Sequence, residues 1–363
     1  MKLDIIAGAR PNFMKIGPII RQLKKFNDAH PAAPFQFRLI HTGQHYDRNM
    51  SDSFFEQLGI PEPDINLGAG SGTQASQTAQ IMIGYEKAIQ DWKPDTCIVV
   101  GDVTSTMACS IVAKKAGIKV AHVEAGIRSG DWSMPEEINR IVTDSITDYF
   151  FTTSEEANAN LLKAGHRQEQ IFYVGNTMID SLLDNIDRLR KPDFFDNALA
   201  GHPYIVLTLH RPSNVDDPEK LSALLDRIHD ALGDCRVLFP MHPRTRKIFD
   251  AIGRQYKQFK IVEPMSYLEF MFVVKNATGV VTDSGGITEE TTVLNIPCIT
   301  LRDSTERPET IRLGTNELVA DHSFIKGYIE RMIAGDWKQA QPIQYWDGKT
   351  AERIVQALNN IRS

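Results

Sequence analysis

Short apolar runs alternate with longer amphipathic stretches along nearly the whole chain, and no other feature limits the fold as strongly. Leu3–Ala7, Phe37–Thr42, Thr96–Val100, Val120–Val123, Tyr149–Thr152 and Ile171–Val174 read as strands. Phe13–Phe26, Thr78–Trp92, Ser105–Lys115, Pro135–Ile146 and Ser154–Ala164 lie between them with helical spacing. Strand–helix alternation of this kind implies a parallel sheet covered on both faces, because each crossover lays a helix on the sheet. The pattern pauses at Asp187–His202, rich in Asp, Arg and Pro, and then resumes. Tyr204–Leu209, Arg236–Pro240, Lys260–Val262, Gly279–Thr282 and Cys298–Leu301 form a second set of strands, with helices such as Pro218–Leu232 and Ile287–Leu294. At 363 residues the chain has room for two α/β domains. We place them at 1–176 and 177–346, with a terminal amphipathic helix in 347–363 returning to the first.

Ligands in such sheets bind beyond the carboxyl ends of the strands, so the residues there carry the functional reading. The most informative junction is Val281–Glu290, VTDSGGITEE. A strand, two glycines and a helix start follow one another within it. Free backbone N–H groups and the positive end of a helix dipole suit a diphosphate, and glycines let it approach. Glu290 lies about one turn further on, within reach of an attached ribose. An ordinary Gly-rich turn has the same composition.

The first set of strands ends in polar clusters. Arg10 and Lys15 follow strand one, and either could meet an anion or sit solvated on the surface. HTGQHYD, from His41 to Asp47, suits a ligand loop or a loop bonded to itself, and Asn66–Thr78 reads as a flexible loop or lid. Asp102 is a helix cap or a cleft carboxylate. Glu124 stands among apolar residues, where an unpaired carboxylate is costly. Glu136 and Glu137 open a helix and, on the residues alone, favour its dipole. In the second set, His210 and His242 close successive strands, each with an Arg nearby, and Arg307 could reach phosphate or ribose or pair with Glu306 or Glu309.

Several classes are excluded or disfavoured. No GxGxxG follows a strand, which argues against a dinucleotide-binding domain, and no HExxH or similar spacing points to zinc. A net charge of −6 disfavours a nucleic-acid partner. Four single cysteines suit buried thiols in a reducing compartment. No apolar run approaches the roughly 18 residues of a membrane span, and the first residues read as a strand, so a cytoplasmic protein is expected. These observations together suggest an enzyme acting on a nucleotide-linked substrate between two domains.

The ordered set GARPNFMK, HTGQH, GDVTST, HVEAGIRSG, PEEINR, LHR, MHPR, TDSGGITEE, RDSTERPE and Gly314-Thr315 resembles the non-hydrolysing UDP-N-acetylglucosamine 2-epimerase family along nearly the whole chain. The resemblance implies the GT-B fold, two Rossmann-like doubly wound domains with the active site in the cleft between them. It implies chemistry without metal or cofactor: UDP leaves C1 as a base takes the C2 proton, giving 2-acetamidoglucal, and UDP then adds back. It assigns Asp102, Glu124, Glu136 and His210 to catalysis. Arg10 and Lys15 fall near the diphosphate and sugar, Ser284, Gly285 and Gly286 at the diphosphate turn, Glu290 at the ribose, Phe270 beside uracil and Arg307 on UDP. A homodimer serving surface-polysaccharide synthesis is a further family expectation.

The chain departs from the family at His210-Arg211-Pro212-Ser213-Asn214, where HRREN is common, and at Tyr46–Met50 after TGQH. Bacterial relatives use the latter neighbourhood for a second, activating UDP-sugar, so the resemblance does not carry that site over. It also leaves open a modified sugar such as UDP-2,3-diacetamido-2,3-dideoxyglucuronate, whose carboxylate would need a cation; Arg48, Arg128 and Arg211 are available. A GT-B glycosyltransferase or a hydrolysing epimerase shares the UDP motifs.

Overall fold

In the computed structural model, residues 1–43 and 59–362 are described, apart from the side chains of Arg10 and Arg244. The chain divides into two compact units, Met1–Asp184 with Gln344–Ser363, and Asn185–Ile343.

The first unit is built on a seven-stranded parallel sheet in the order β3-β2-β1-β4-β5-β6-β7. Its strands are β1 (Lys2–Ala7), β2 (Gln36–His41), β3 (Ile65–Asn66), β4 (Thr96–Val100), β5 (Lys119–Val123), β6 (Tyr149–Thr152) and β7 (Ile171–Tyr173). Every residue of β4, TCIVV, is buried, as expected of a central strand with helices on both faces. Helices Gln74–Ala88 and Thr104–Lys115 cover one side through Ile81, Tyr85, Cys109 and Val112. The C-terminal helix Thr350–Arg362 packs against the helix Arg10–Ala29. Asp180 fixes its start, accepting from the amides of Thr350 and Ala351.

The second unit has a six-stranded parallel sheet, β10-β9-β8-β11-β12-β13. Its strands are β8 (Tyr204–Thr208), β9 (Arg236–Pro240), β10 (Phe259–Val262), β11 (Gly279–Thr282), β12 (Cys298–Thr300) and β13 (Asn316–Leu318). Leu221, Leu224, Leu225 and Ile228 of the helix Pro218–His229 meet Val237 and Phe239 of β9 in its core.

Both orders reverse direction in the same way. The chain winds outward from β1 through β2 to β3, then restarts at β4 on the other side of β1. The second unit repeats this at β8 and β11. Such a reversal leaves a crevice beyond the carboxyl ends of the two strands at the switch point. The switch points thus select Ala7 and Val100 in one unit, Thr208 and Thr282 in the other.

Two expectations are corrected. Asn66–Thr78 is not a loop throughout, because Thr73 caps the helix Gln74–Ala88 by accepting from the Ser76 amide. Edge strands β3 and β13, of two and three residues, were not foreseen. Of the polar loop His41–Asp47, positions 44–47 lie outside the described residues, as does Arg48.

Candidate active site

In the first unit, the loops after β1, β4 and β5 converge. Asn12 opens the helix after β1 and is buried. Its side-chain carbonyl accepts from the amides of Gly8 and Ala9, and its amide donates to the Val100 carbonyl at the end of β4. One turn on, Lys15 reaches Glu124 after β5, with Nζ 2.7 Å from Oε2. Glu124 is only 4% exposed, so a cation this close is what makes its burial tolerable. Its backbone is left-handed at φ 66°, a conformation that costs a residue with a Cβ about 1–2 kcal/mol. Strain of this kind persists only where surrounding contacts hold it, and it concentrates at functional positions.

Asp102 is not a helix cap: the cap position of helix Thr104–Lys115 is Val103, with no side-chain hydrogen bond. Its carboxylate instead pairs with Arg140, buried on helix Pro135–Ile146. Arg140 also pairs with Glu137 at 2.9 Å, and Asn139 donates to the Asp102 carbonyl. Glu137 therefore does more than favour a dipole. It accepts from the Ser129 and Gly130 amides and the Ser129 hydroxyl, tying down the loop after β5. Burial pushes its carboxyl up, but these donors and Arg140 outweigh that and hold it below the usual range. Glu136, its neighbour, is partly exposed in the same first turn.

Beneath these loops lies a buried charge network. His122 faces Asp144 Oδ1 through Nδ1 at 2.7 Å and the Gly101 carbonyl through Nε2 at 2.8 Å. Asp144 also accepts from the Gly126 amide and pairs with Arg128 at 2.6 Å. Burial would raise the Asp144 carboxyl, yet His122 and Arg128 hold it low. The network joins the strand ends that carry Asp102 and Glu124. It also commits Arg128, one of the cations considered for a sugar carboxylate. Gly126 is required here, since φ is 79° and a Cβ would lie 2.4 Å from the Ala157 carbonyl oxygen.

In the second unit, Asp283 closes β11 and is fully buried. It accepts from the amides of His210 and Arg211 and from the Asn214 side chain, and lies 2.7 Å from His210 Nδ1. Burial again opposes ionisation, and His210 with the surrounding donors overcomes it, so the carboxyl is held low. The Pro212-Ser213 departure leaves this intact, because Asn214 supplies the contact. His210, at 57% side-chain exposure, presents the rest of its ring outward. His242, after β9, is also exposed.

The glycine turn follows Asp283. The Ser284 amide donates to Thr282 Oγ1, and the Thr288 hydroxyl donates to the Gly285 carbonyl. A Cβ on Gly285 would press on Arg302 Nη1 at 3.0 Å, whereas one on Gly286 would enter open space. Both glycines have negative φ, so their value is clearance, not backbone freedom. Arg302 makes a two-pronged pair with Glu306 at 2.9 and 3.0 Å. Arg307 pairs with Glu289, a partner not among those weighed from sequence. Glu290, 5% exposed, accepts from the Tyr267 hydroxyl at 2.9 Å. Burial drives its carboxyl up to about 7, with Tyr267 opposing and the Glu289 charge adding to the rise. Phe270, partly buried, lies three residues beyond Tyr267 on helix Tyr267–Lys275.

Sequence reasoning missed Arg140, Asn12, His122, Asp144 and Tyr267. The one local signal was the Glu137–Arg140 spacing on a helix. The other four have partners well separated in sequence, by 22 residues for His122–Asp144, 18 for Gly126–Asp144, 23 for Tyr267–Glu290 and 88 for Asn12–Val100.

Two doubly wound parallel sheets, each with charged and hydrogen-bonding groups at its switch point, define an α/β enzyme of the GT-B type. A family model for UDP-N-acetylglucosamine 2-epimerase matches residues 27–359. The UDP-N-acetylglucosamine 2-epimerase of Methanocaldococcus jannaschii is 44% identical over 99% of both chains. The UDP-2,3-diacetamido-2,3-dideoxy-D-glucuronate 2-epimerase of Pseudomonas aeruginosa is 35% identical, again over 99% of both. A crystal structure of the Methanocaldococcus jannaschii enzyme in complex with UDP-GlcNAc and UDP superposes with a TM-score of 0.86 at 42% identity, covering 99% of this chain and 100% of that one. The chain belongs to the UDP-N-acetylglucosamine 2-epimerase family and is an isomerase.

Proposed function

We propose that this chain interconverts UDP-GlcNAc and UDP-ManNAc by anti elimination and re-addition of UDP. The observation that carries the reading is Glu124, a buried carboxylate held in left-handed backbone beside Lys15 at a strand end. A base there takes the C2 proton. The C2–H electron pair forms the C1=C2 bond of 2-acetamidoglucal, and UDP departs with the C1–O pair. Re-addition of UDP at C1, with a proton delivered to the other face of C2, completes the epimerisation. Acid/base work of this kind calls for more than one positioned group. Asp102, held by Arg140, and Glu136 fill the other acid/base places, and His210, oriented by Asp283, serves near the diphosphate. Lys15 and Arg10 are assigned to the sugar and diphosphate.

The second unit takes the nucleotide. Ser284, Gly285 and Gly286 receive the diphosphate, which gains from oriented donors as charge develops on it. Glu290 takes the ribose, Phe270 the uracil, and Arg307 a further UDP contact. The Pseudomonas aeruginosa relative favours a second reading, epimerisation of a diacetamido uronate. Commitment of Arg128 to Asp144 weighs against it. Four buried free cysteines support a reducing, cytoplasmic setting, and we infer a homodimer that supplies polysaccharide precursors.

The test is turnover in deuterated water, read by NMR. Deuterium should appear at C2 of a sugar still joined to UDP. Net release of UDP with no UDP-sugar product refutes the epimerase in favour of a hydrolase or glycosyltransferase. Parallel assays on UDP-GlcNAc and its diacetamido uronate analogue separate the two sugars.

A further inference from the structure

Helix Tyr267–Lys275 begins with a reciprocal cap. The Ser266 amide and hydroxyl donate to Glu269, whose amide returns a bond to Ser266 Oγ. That cap fixes the first turn, and Tyr267 stands in it. The Tyr267 hydroxyl donates to Oε1 of Glu290, on the helix that follows the glycine turn. Helices Tyr267–Lys275 and Ile287–Val293 are thereby joined through one side-chain hydrogen bond.

The chemistry of this pair is unusual for a buried carboxyl. Its partner is a neutral hydroxyl, not a cation, and the adjacent acid, Glu289, is engaged by Arg307. A guanidinium would hold both oxygens of Glu290 in a bidentate pair and compete with any ligand. One hydroxyl engages Oε1 alone and fixes the carboxyl rotamer. A carboxylate held this way can accept from a vicinal diol, and without that diol a buried acceptor goes unmet.

We propose that Tyr267 is a positioning residue that sets ribose specificity: by holding Oε1 of Glu290 it aims the carboxylate at the 2′- and 3′-hydroxyls of the nucleotide. The proposal rests on the UDP reading given above. Sites built to bond a hydroxyl reject analogues that lack it far more strongly than apolar pockets reject extra bulk.

The experiment compares UDP with 2′,3′-dideoxy-UDP by calorimetry on the intact enzyme, for the native chain, Tyr267→Phe and Glu290→Gln. At pH 7 the native chain should prefer UDP by tenfold or more, about 1.4 kcal/mol. In Tyr267→Phe that preference should shrink to about threefold or less, with affinity for the dideoxy compound within about twofold of native. The preference ratio also cancels titration of the ligand's own phosphate. Glu290 faces Tyr267 from the capped helix and Glu289 from its own. With its carboxyl at about 7, the native ratio rises as pH rises through that value. Loss of the hydroxyl that stabilises the carboxylate moves the rise to higher pH. A merely structural role would weaken both ligands equally and leave the pH profile in place; that result, or an unchanged ratio, overturns the proposal. If Glu290→Gln lowers the ratio and Tyr267→Phe does not, the role of Tyr267 falls while the ribose assignment stands. If Glu290→Gln leaves the native ratio intact, the ribose assignment itself fails and takes the proposal with it.

Discussion

Replacing Glu290 by glutamine should stabilise the second unit, and the size of the effect follows from its surroundings. Burial drives the carboxyl from 4.5 up to about 7, with Tyr267 opposing and Glu289 adding. A group whose folded value is raised contributes stability that is fully present below its unfolded value and lost as pH rises through the folded one. The window here is therefore about 4.5 to 7. Above it, the folded state bears the whole cost of ionising a buried acid, about 3 kcal/mol at about 1.4 kcal/mol per pH decade. Glutamine keeps an oxygen for the Tyr267 hydroxyl and cannot ionise. At pH 8 the variant should exceed the native chain by up to about 3 kcal/mol, and at pH 5 by less than about 1 kcal/mol. Urea unfolding at both pH values, read by hydrogen exchange in peptides covering 279–300, measures the difference. A gap of equal size at pH 5 and 8, or a variant less stable at pH 8, would refute the reasoning. On the proposed ribose role, the costly acid is retained for the ligand, and the stabilised variant should discriminate poorly between ribose and its dideoxy analogue.

The remaining predictions concern the first unit. Glu124→Gln should lower turnover by about 10²–10⁴, the usual contribution of a positioned acid or base, while UDP affinity stays within about twofold. Steady-state kinetics and calorimetry check both, and turnover within tenfold of native would remove Glu124 from the chemistry. Asp144→Asn leaves His122 and Arg128 facing a neutral amide in a buried setting, and should destabilise by about 3–5 kcal/mol in urea unfolding. Asp144, held low in the folded state, contributes stability that is present above the unfolded carboxyl value and lost as pH falls through the folded one. Acid titration by near-UV circular dichroism should thus show the native chain losing stability below about pH 4, with a shallower fall in Asp144→Asn.

Two features were legible from the sequence because each is local. The alternation of apolar runs and amphipathic stretches fixed two parallel sheets, since period and run length reflect burial on both faces. The glycine turn at Asp283–Gly286 was legible because its neighbours in sequence are also its neighbours in space. Position relative to a strand end likewise picked out Asp102, Glu124 and His210. Tertiary structure decided what these groups do to one another. Asp102 could have been a cap until Arg140, 38 residues on, claimed it. Glu136 and Glu137 look alike in sequence, but helical rotation buries Glu137 among four donors and leaves Glu136 partly exposed. Asp283 holds His210 across 73 residues, and Tyr267 holds Glu290 across 23. Sequence sets which face of an element is apolar; a charged side chain's partner depends on how strands order within the sheet, and that order is settled only when the whole sheet assembles. The left-handed backbone at Glu124 is of the same kind. Nothing in its residue type asks for φ 66°, and it exists because the packed loop and Lys15 hold it there.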